Sequence, residues 1–264
     1  MAFTPPKINI MKFIDHDIED IPRSNLSFHM VHPFLNKKKV IISYPSFYVT
    51  LGHLAKSVKP ARKLMSTVAE IGIFVIDGKK TKRAIKCIQP LRILVNTHTQ
   101  FDLMETAEIT LAFKRGTNHL DHQQMVMFPT VQMMKVNGEE IGHYFLIVLN
   151  MHDNRFEVLD SMRTLQDERL KTCCTTIIAR IKILWATHYP ETNKPIEDFE
   201  LIDVGVPNQS NNHDCGFHML MHTDVWDGRS TDVFEEKDIP TFTKSSHIGG
   251  LHTLTMEHMN GRPR

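Results

Sequence analysis

The sequence is short of cysteine, of net charge and of long apolar runs, and each shortage excludes a class of protein. Only four cysteines occur: Cys87, Cys173, Cys174 and Cys215. None forms a Cys-x-x-Cys pair and two are adjacent, which is poor material for a disulfide framework and suits a reducing compartment inside the cell. The formal net charge is +1 over 264 residues, so composition gives no case for nucleic-acid binding. No apolar run approaches the ~18 residues of a membrane span, and no membrane partner is expected. The opening Met1-Ala2-Phe3-Thr4-Pro5-Pro6 has no charged start followed by an apolar block, so no secretory signal is expected. The nucleus or the cytoplasm is the expected location. The basic run Lys79-Lys80-Thr81-Lys82-Arg83 reads as a solvated loop, with a nuclear import signal as its functional alternative.

What is present is an ordinary folded composition, 41% hydrophobic and 23% charged, long enough for one large domain or two small ones. Residues 1–38 mix Pro, Asp and Lys without period and read as an irregular arm. Residues 53–76 read as helical in part, with Pro60 limiting the start. Residues 109–113 suit a strand. Residues 125–136 suit a strand broken by Pro129, followed by a turn at Asn137-Gly138. Residues 145–150 (FLIVLN) and 155–160 (RFEVLD) read as two strands joined by a turn at Asp153-Asn154. The first is apolar almost throughout, as in a strand buried on both faces. Residues 164–188 carry the clearest helical period, ended by Tyr189-Pro190. A strand at 199–206 and a helix at 215–226, with Asp214 near its N-cap, complete the pattern. The order implies an α+β fold with helices packed around a central sheet.

Cys215 stands at the start of that last helix. Unpaired backbone N–H groups and the helix dipole favour a thiolate there. A lone cysteine is more often a small core residue, so the case depends on its partners. A thiol nucleophile needs a base and a group to orient it. His143 opens the most buried strand and Asp160 ends the strand paired with it, so a hairpin brings them together whatever the rest of the fold. Gln209, six residues before Cys215, suits an oxyanion donor alongside the Cys215 backbone N–H. His218 and His222 have a spacing that can bind zinc. The residues between them are Met219-Leu220-Met221, without the Glu of a His-Glu-x-x-His site, so two histidines at a packed helix face is the better reading.

In sequence these residues stand as His143-Tyr144-Phe145-Leu146-Ile147-Val148, then Val158-Leu159-Asp160-Ser161, then Gln209, five residues, and Cys215-Gly216. The pattern resembles the ubiquitin-like-protein-specific (SUMO) protease family over residues 125–226, and loosely over 40–124. Asp238-Ile239-Pro240 is similar to a tail segment of its plant branch. The resemblance implies a papain-like superfold of the ubiquitin-like protease type, with a central mixed sheet flanked by helices. It implies a thiol protease that cleaves the peptide or isopeptide bond after the C-terminal Gly-Gly of SUMO or a related modifier. His143, Asp160, Gln209 and Cys215 would be catalytic, Tyr144 and Asp214 would face the substrate, and no metal or organic cofactor would be needed. The partners implied are the modifier and its conjugates, with the protease acting as a monomer. A catalytically weak or inactive, transposon-derived protease-like domain that acts as a modifier-binding module is the alternative. The implied division is an arm over 1–38, a catalytic domain over 39–245 and a tail over 246–264. The family usually carries Trp where this chain has Tyr144, and another Trp on an early helix, where Lys63 or Leu64 stands; the only tryptophans here are Trp185 and Trp226.

Overall fold

A computed structural model describes residues 38, 40–43, 48–57, 61–77, 86–89, 91, 112–136 and 139–229. The arm through residue 37, the basic run at 79–83, the Asn137-Gly138 turn, the Asp238-Ile239-Pro240 segment and the tail lie outside the described residues. The chain divides into two compact units, one holding the described residues up to Val68 and the other those from Ala69 onward.

In the first unit β1 (Val40–Ser43) pairs antiparallel with β2 (Tyr48–Thr50), which runs directly into helix α1 (Leu51–Ser57). Thr50 starts the helix: its Oγ1 accepts from the His53 N–H at 3.2 Å, satisfying one of the donors a helix leaves open at its first turn. Helix α2 (Ser66–Asp77) begins in this unit and continues into the second. The helical pattern expected over 53–76 is thus two helices, with the described residues 61–65 between them non-helical; Pro60 lies outside the described residues.

The second unit is built on a five-stranded mixed sheet in the order β3-β4-β5-β6-β7. Strand β3 (Lys86–Ile88) runs parallel to β4 (Met125–Val136). Strands β4, β5 (Glu139–Asn150) and β6 (Arg155–Leu159) are successive antiparallel neighbours. Strand β7 (Glu200–Asp203) lies parallel to β6. Among the described residues, helical elements accompanying the sheet include the end of α2, a short α3 (Arg115–Asn118) with a 3-10 turn (Leu120–His122), α4 (Glu168–His188), and α5 (Cys215–Val225). This is the expected α+β arrangement.

Strand β5 explains the apolar run. Residues 145–149 are all buried, because β4 and β6 flank the strand and both of its faces are covered. Phe145, Ile147 and Leu149 join Phe156 and Val158 of β6 in one core with Leu170, Cys174 and Ile181 of α4. From the other face, Trp226 at the end of α5 donates its Nε1–H to Glu157 of β6 at 2.8 Å. The turn between β5 and β6 puts Asn154 at φ +55°, a conformation that Asn tolerates better than most residues.

Three local expectations are corrected. Ala112 and Phe113 are helical rather than extended, and the Phe113 ring packs at 6.1 Å from Phe128. Pro129 does not break β4. It pairs with Leu146, and among the described residues β3 pairs only with Met125–Met127, so there Pro129 has no β3 partner that needs its missing N–H. Helix α4 starts at Glu168, not 164, because Asp167 takes the cap: its Oδ1 accepts from Arg169 N at 2.8 Å and Leu170 N at 3.0 Å.

Candidate active site

The β5–β6 register sets the first half of the site. Leu146 pairs with Leu159, so the chain leaves the sheet at Asp160 beside the residues that precede Leu146. Asp160 reaches back to His143, whose Nε2 lies 2.9 Å from both carboxylate oxygens. Both side chains are buried, and His143 is 1% exposed. The imidazole ring lies against Phe145, two residues on along the same strand face, with centroids 6.4 Å apart.

Three further contacts hold Asp160. Its Oδ1 accepts from the backbone N–H of Met162 at 2.8 Å and of Arg163 at 3.0 Å, which is how an Asp at a strand end closes a turn on itself. Arg163 Nε donates to Oδ2 at 3.1 Å, and the Arg163 guanidinium also donates to Gln132 Oε1 at 2.7 Å while lying 5.8 Å over the Phe145 ring. Gln132 is the β4 residue paired with His143. Burial pushes the Asp160 carboxyl up, but the His143 contact, Arg163 and the Met162 N–H outweigh it and hold Asp160 below the usual carboxylate range.

Cys215 completes the cluster. It is fully buried, is the first residue of α5, and lies close enough to His143 to raise the pKa of the imidazole. With Nε2 committed to Asp160, Nδ1 is the ring nitrogen left for the sulfur. Burial alone would depress the His143 pKa; the bond to Asp160, the nearness of Cys215, and their negative charge raise it above its ordinary value. The imidazole is therefore held by a carboxylate at one nitrogen and has Cys215 as a near neighbour. Such a unit can take a proton from the thiol and return it to a leaving group.

Tyr144 is 5% exposed and points to the strand face opposite His143. Burial first, and the Cys215 charge second, hold its phenol above its ordinary value. Asp214 occupies the N-cap position of α5, yet its side chain makes no cap hydrogen bond. It accepts from Asn211 Nδ2 at 2.7 Å inside the loop and is buried. Gln209 is held by Ser161 and Asn211. Its backbone N–H donates to Ser161 O at 2.9 Å, Ser161 Oγ donates to its Oε1 at 2.6 Å, and its Nε2 donates to Asn211 O at 2.5 Å.

The sequence quotes Ser161 only as part of a motif and gives Arg163 and Gln132 no role. The signal for Arg163 is its distance of three residues from Asp160, within reach of an Asp-initiated turn. Gln132 carries none, because its place opposite His143 follows from the β4–β5 register. Among the described residues no group of three or more His, Cys, Asp or Glu is arranged to hold a metal ion. The rings of His218 and His222 stand 6.1 Å apart on α5, and burial pushes His222 down to about 3. All four cysteines are outside disulfides.

Residues 107–247 match the model of the Ulp1 protease family, C-terminal catalytic domain. The chain belongs to the Ulp1 protease family. It carries that family's catalytic domain and is a cysteine protease. Solved Ulp1-type structures share the fold. One is the C-terminal Ulp1 protease domain in complex with Smt3, the yeast ortholog of SUMO. It is 16% identical with a TM-score of 0.57, and the match covers 83% of this chain and 88% of that one. A second is SUMO protease Ulp1 with its catalytic cysteine oxidised to a sulfenic acid, 16% identical with a TM-score of 0.58, over 84% and 90% of the two chains. A third is the Ulp1-like SUMO protease catalytic domain of Chaetomium thermophilum, 12% identical with a TM-score of 0.50, over 91% and 86%. No curated protein matches the chain in sequence. The papain-like fold of the Ulp1 type expected from the sequence is the fold of this domain. No helix among the described residues is long and apolar enough to cross a membrane.

Proposed function

We propose that this Ulp1-type domain hydrolyses the peptide or isopeptide bond after the C-terminal Gly-Gly of SUMO or a closely related modifier, with Cys215 as nucleophile. The observation that carries the proposal is the buried His143 ring, held at 2.9 Å by Asp160 and near enough to the buried Cys215 to feel its charge. Asp160 fixes the imidazole orientation and stabilises its charged form. His143 takes the thiol proton, the sulfur attacks the carbonyl carbon, and the tetrahedral oxyanion collapses to an acyl-enzyme as His143 protonates the leaving amine. Water, deprotonated by His143, then releases the modifier and restores the thiol. The Cys215 backbone N–H, at the start of an 11-residue helix, and the Gln209 amide are the oxyanion donors. Tyr144 and Asp214 are the residues that would face the two glycines of the modifier.

The choice of SUMO rests on the family and on the relative that carries Smt3. The protease acts as a monomer in the nucleus or cytoplasm, where reducing conditions keep Cys215 a thiol. A panel of C-terminal coumarin amides tests the reading. The SUMO substrate is turned over by the wild type, ubiquitin is not, and Cys215→Ser removes turnover. Equal turnover of ubiquitin would reject the SUMO assignment, and turnover surviving in Cys215→Ser would reject the nucleophile.

A further inference from the structure

Ser161 is 2% exposed, sits next to Asp160 in the turn after β6, and makes two bonds to a residue 48 positions away. Its carbonyl accepts from Gln209 N at 2.9 Å and its hydroxyl meets Gln209 Oε1 at 2.6 Å. An amide side chain has two ends of similar shape and opposite hydrogen-bonding sense. The Asn211 carbonyl, 2.5 Å from Gln209 Nε2, can only accept, so the Gln209 N–H end must face it. Oε1 must then face Ser161, and the hydroxyl must donate. Two contacts at opposite ends fix a planar group in its plane. They also fix the direction of the second Nε2–H, the one not given to Asn211.

We infer that Ser161 is a positioning residue for Gln209: its hydroxyl clamps the amide so that the remaining N–H is aimed, rather than free to rotate, when an oxyanion forms. The inference rests on the proposed role of Gln209 as oxyanion donor. It gives the Asp160-Ser161 dipeptide two tasks, since one residue orients the base and the next orients the donor. A flipped amide would present Oε1 to the developing negative charge, which is repulsive, so the clamp acts on the transition state and not on substrate binding.

Kinetics on a SUMO C-terminal coumarin amide test it. Ser161→Ala lowers kcat about 10-fold at unchanged KM, a loss the size of one hydrogen bond, and leaves both limbs of the pH profile in place because His143 and Asp160 are untouched. Ser161→Thr, which keeps the hydroxyl, stays within about threefold of wild type. Gln209→Ala loses about 100-fold, and adding Ser161→Ala to it changes little, because the clamp then has nothing to hold. Wild-type kcat in Ser161→Ala beside an impaired Gln209→Ala overturns this inference alone. So do additive losses, or a shifted pH limb, which marks a disturbed Asp160 turn. Gln209→Ala at the wild-type rate overturns the donor and the clamp together, and no turnover by wild type overturns the proposed function as well. A measurement that needs no variant is the NMR relaxation of the Gln209 side-chain amide in the unliganded protein. A clamped amide is as ordered as the backbone around it, and a freely rotating one overturns the inference.

Discussion

Burial alone would keep His143 neutral, and it is Asp160 and Cys215 that reverse this. The sign of the resulting pH dependence follows from the two shifts. The folded His143 value lies above 6.5, so its stabilisation is complete below that pH and is lost as pH rises through the folded value. The folded Asp160 value lies below 3.8, so its stabilisation is complete above that pH and is lost as pH falls through the folded value. Both are fully present between about pH 3.8 and 6.5. Asp160→Asn keeps the shape and removes the charge. It should lower the His143 pKa in an NMR titration. Urea denaturation should find its stability deficit greatest inside that window and smaller on either side. An unmoved His143 would mean that Asp160 does not set its charge. The pairing of His143 with Asp160 was legible because a hairpin brings the start of one strand beside the end of the next. The grip of Arg163 and Ser161 was not, because polar residues after a strand end are also what any turn contains.

At the scale of elements, β6 and α5 are tied through one buried carboxylate. Glu157 is 0% exposed and accepts from Asn150 Nδ2 at 2.9 Å, Arg155 Nε at 2.8 Å and Trp226 Nε1 at 2.8 Å. Trp226→Phe keeps most of the ring and removes the indole donor to Oε2. Leaving a buried acceptor short costs about 2 kcal/mol, to be read as a lower urea midpoint at unchanged slope; a midpoint within error of wild type would mean that water replaces the indole. Strand and helix identities followed from period, as in the unbroken apolar run of β5 and the 3.6 spacing of α4. Boundaries followed from single polar contacts that period does not register. Asp167 captured the α4 cap from the Thr164 region, and Pro129 survived in β4 because no described β3 residue pairs with it.

At the scale of the whole molecule, every residue discussed at the site lies in the unit that begins at Ala69. Strand β5 carries His143, the turn after β6 carries Asp160, and α5 carries Cys215, so the proposed chemistry depends on helix α5 docking correctly at the sheet end. The order of the elements was readable from the chain, and with it the α+β class. The strand order was not, because β3 is only three residues long and carries little pattern, and the strand read at 199–206 does not say which neighbour it pairs with. The most direct test is covalent capture. SUMO bearing a C-terminal vinyl sulfone, mixed with the wild-type protein, should give a single adduct by intact mass, with peptide mapping placing the bond on Cys215 and no adduct forming with Cys215→Ser. An adduct on Cys87, Cys173 or Cys174, or none with SUMO under conditions where another modifier reacts, would contradict this account.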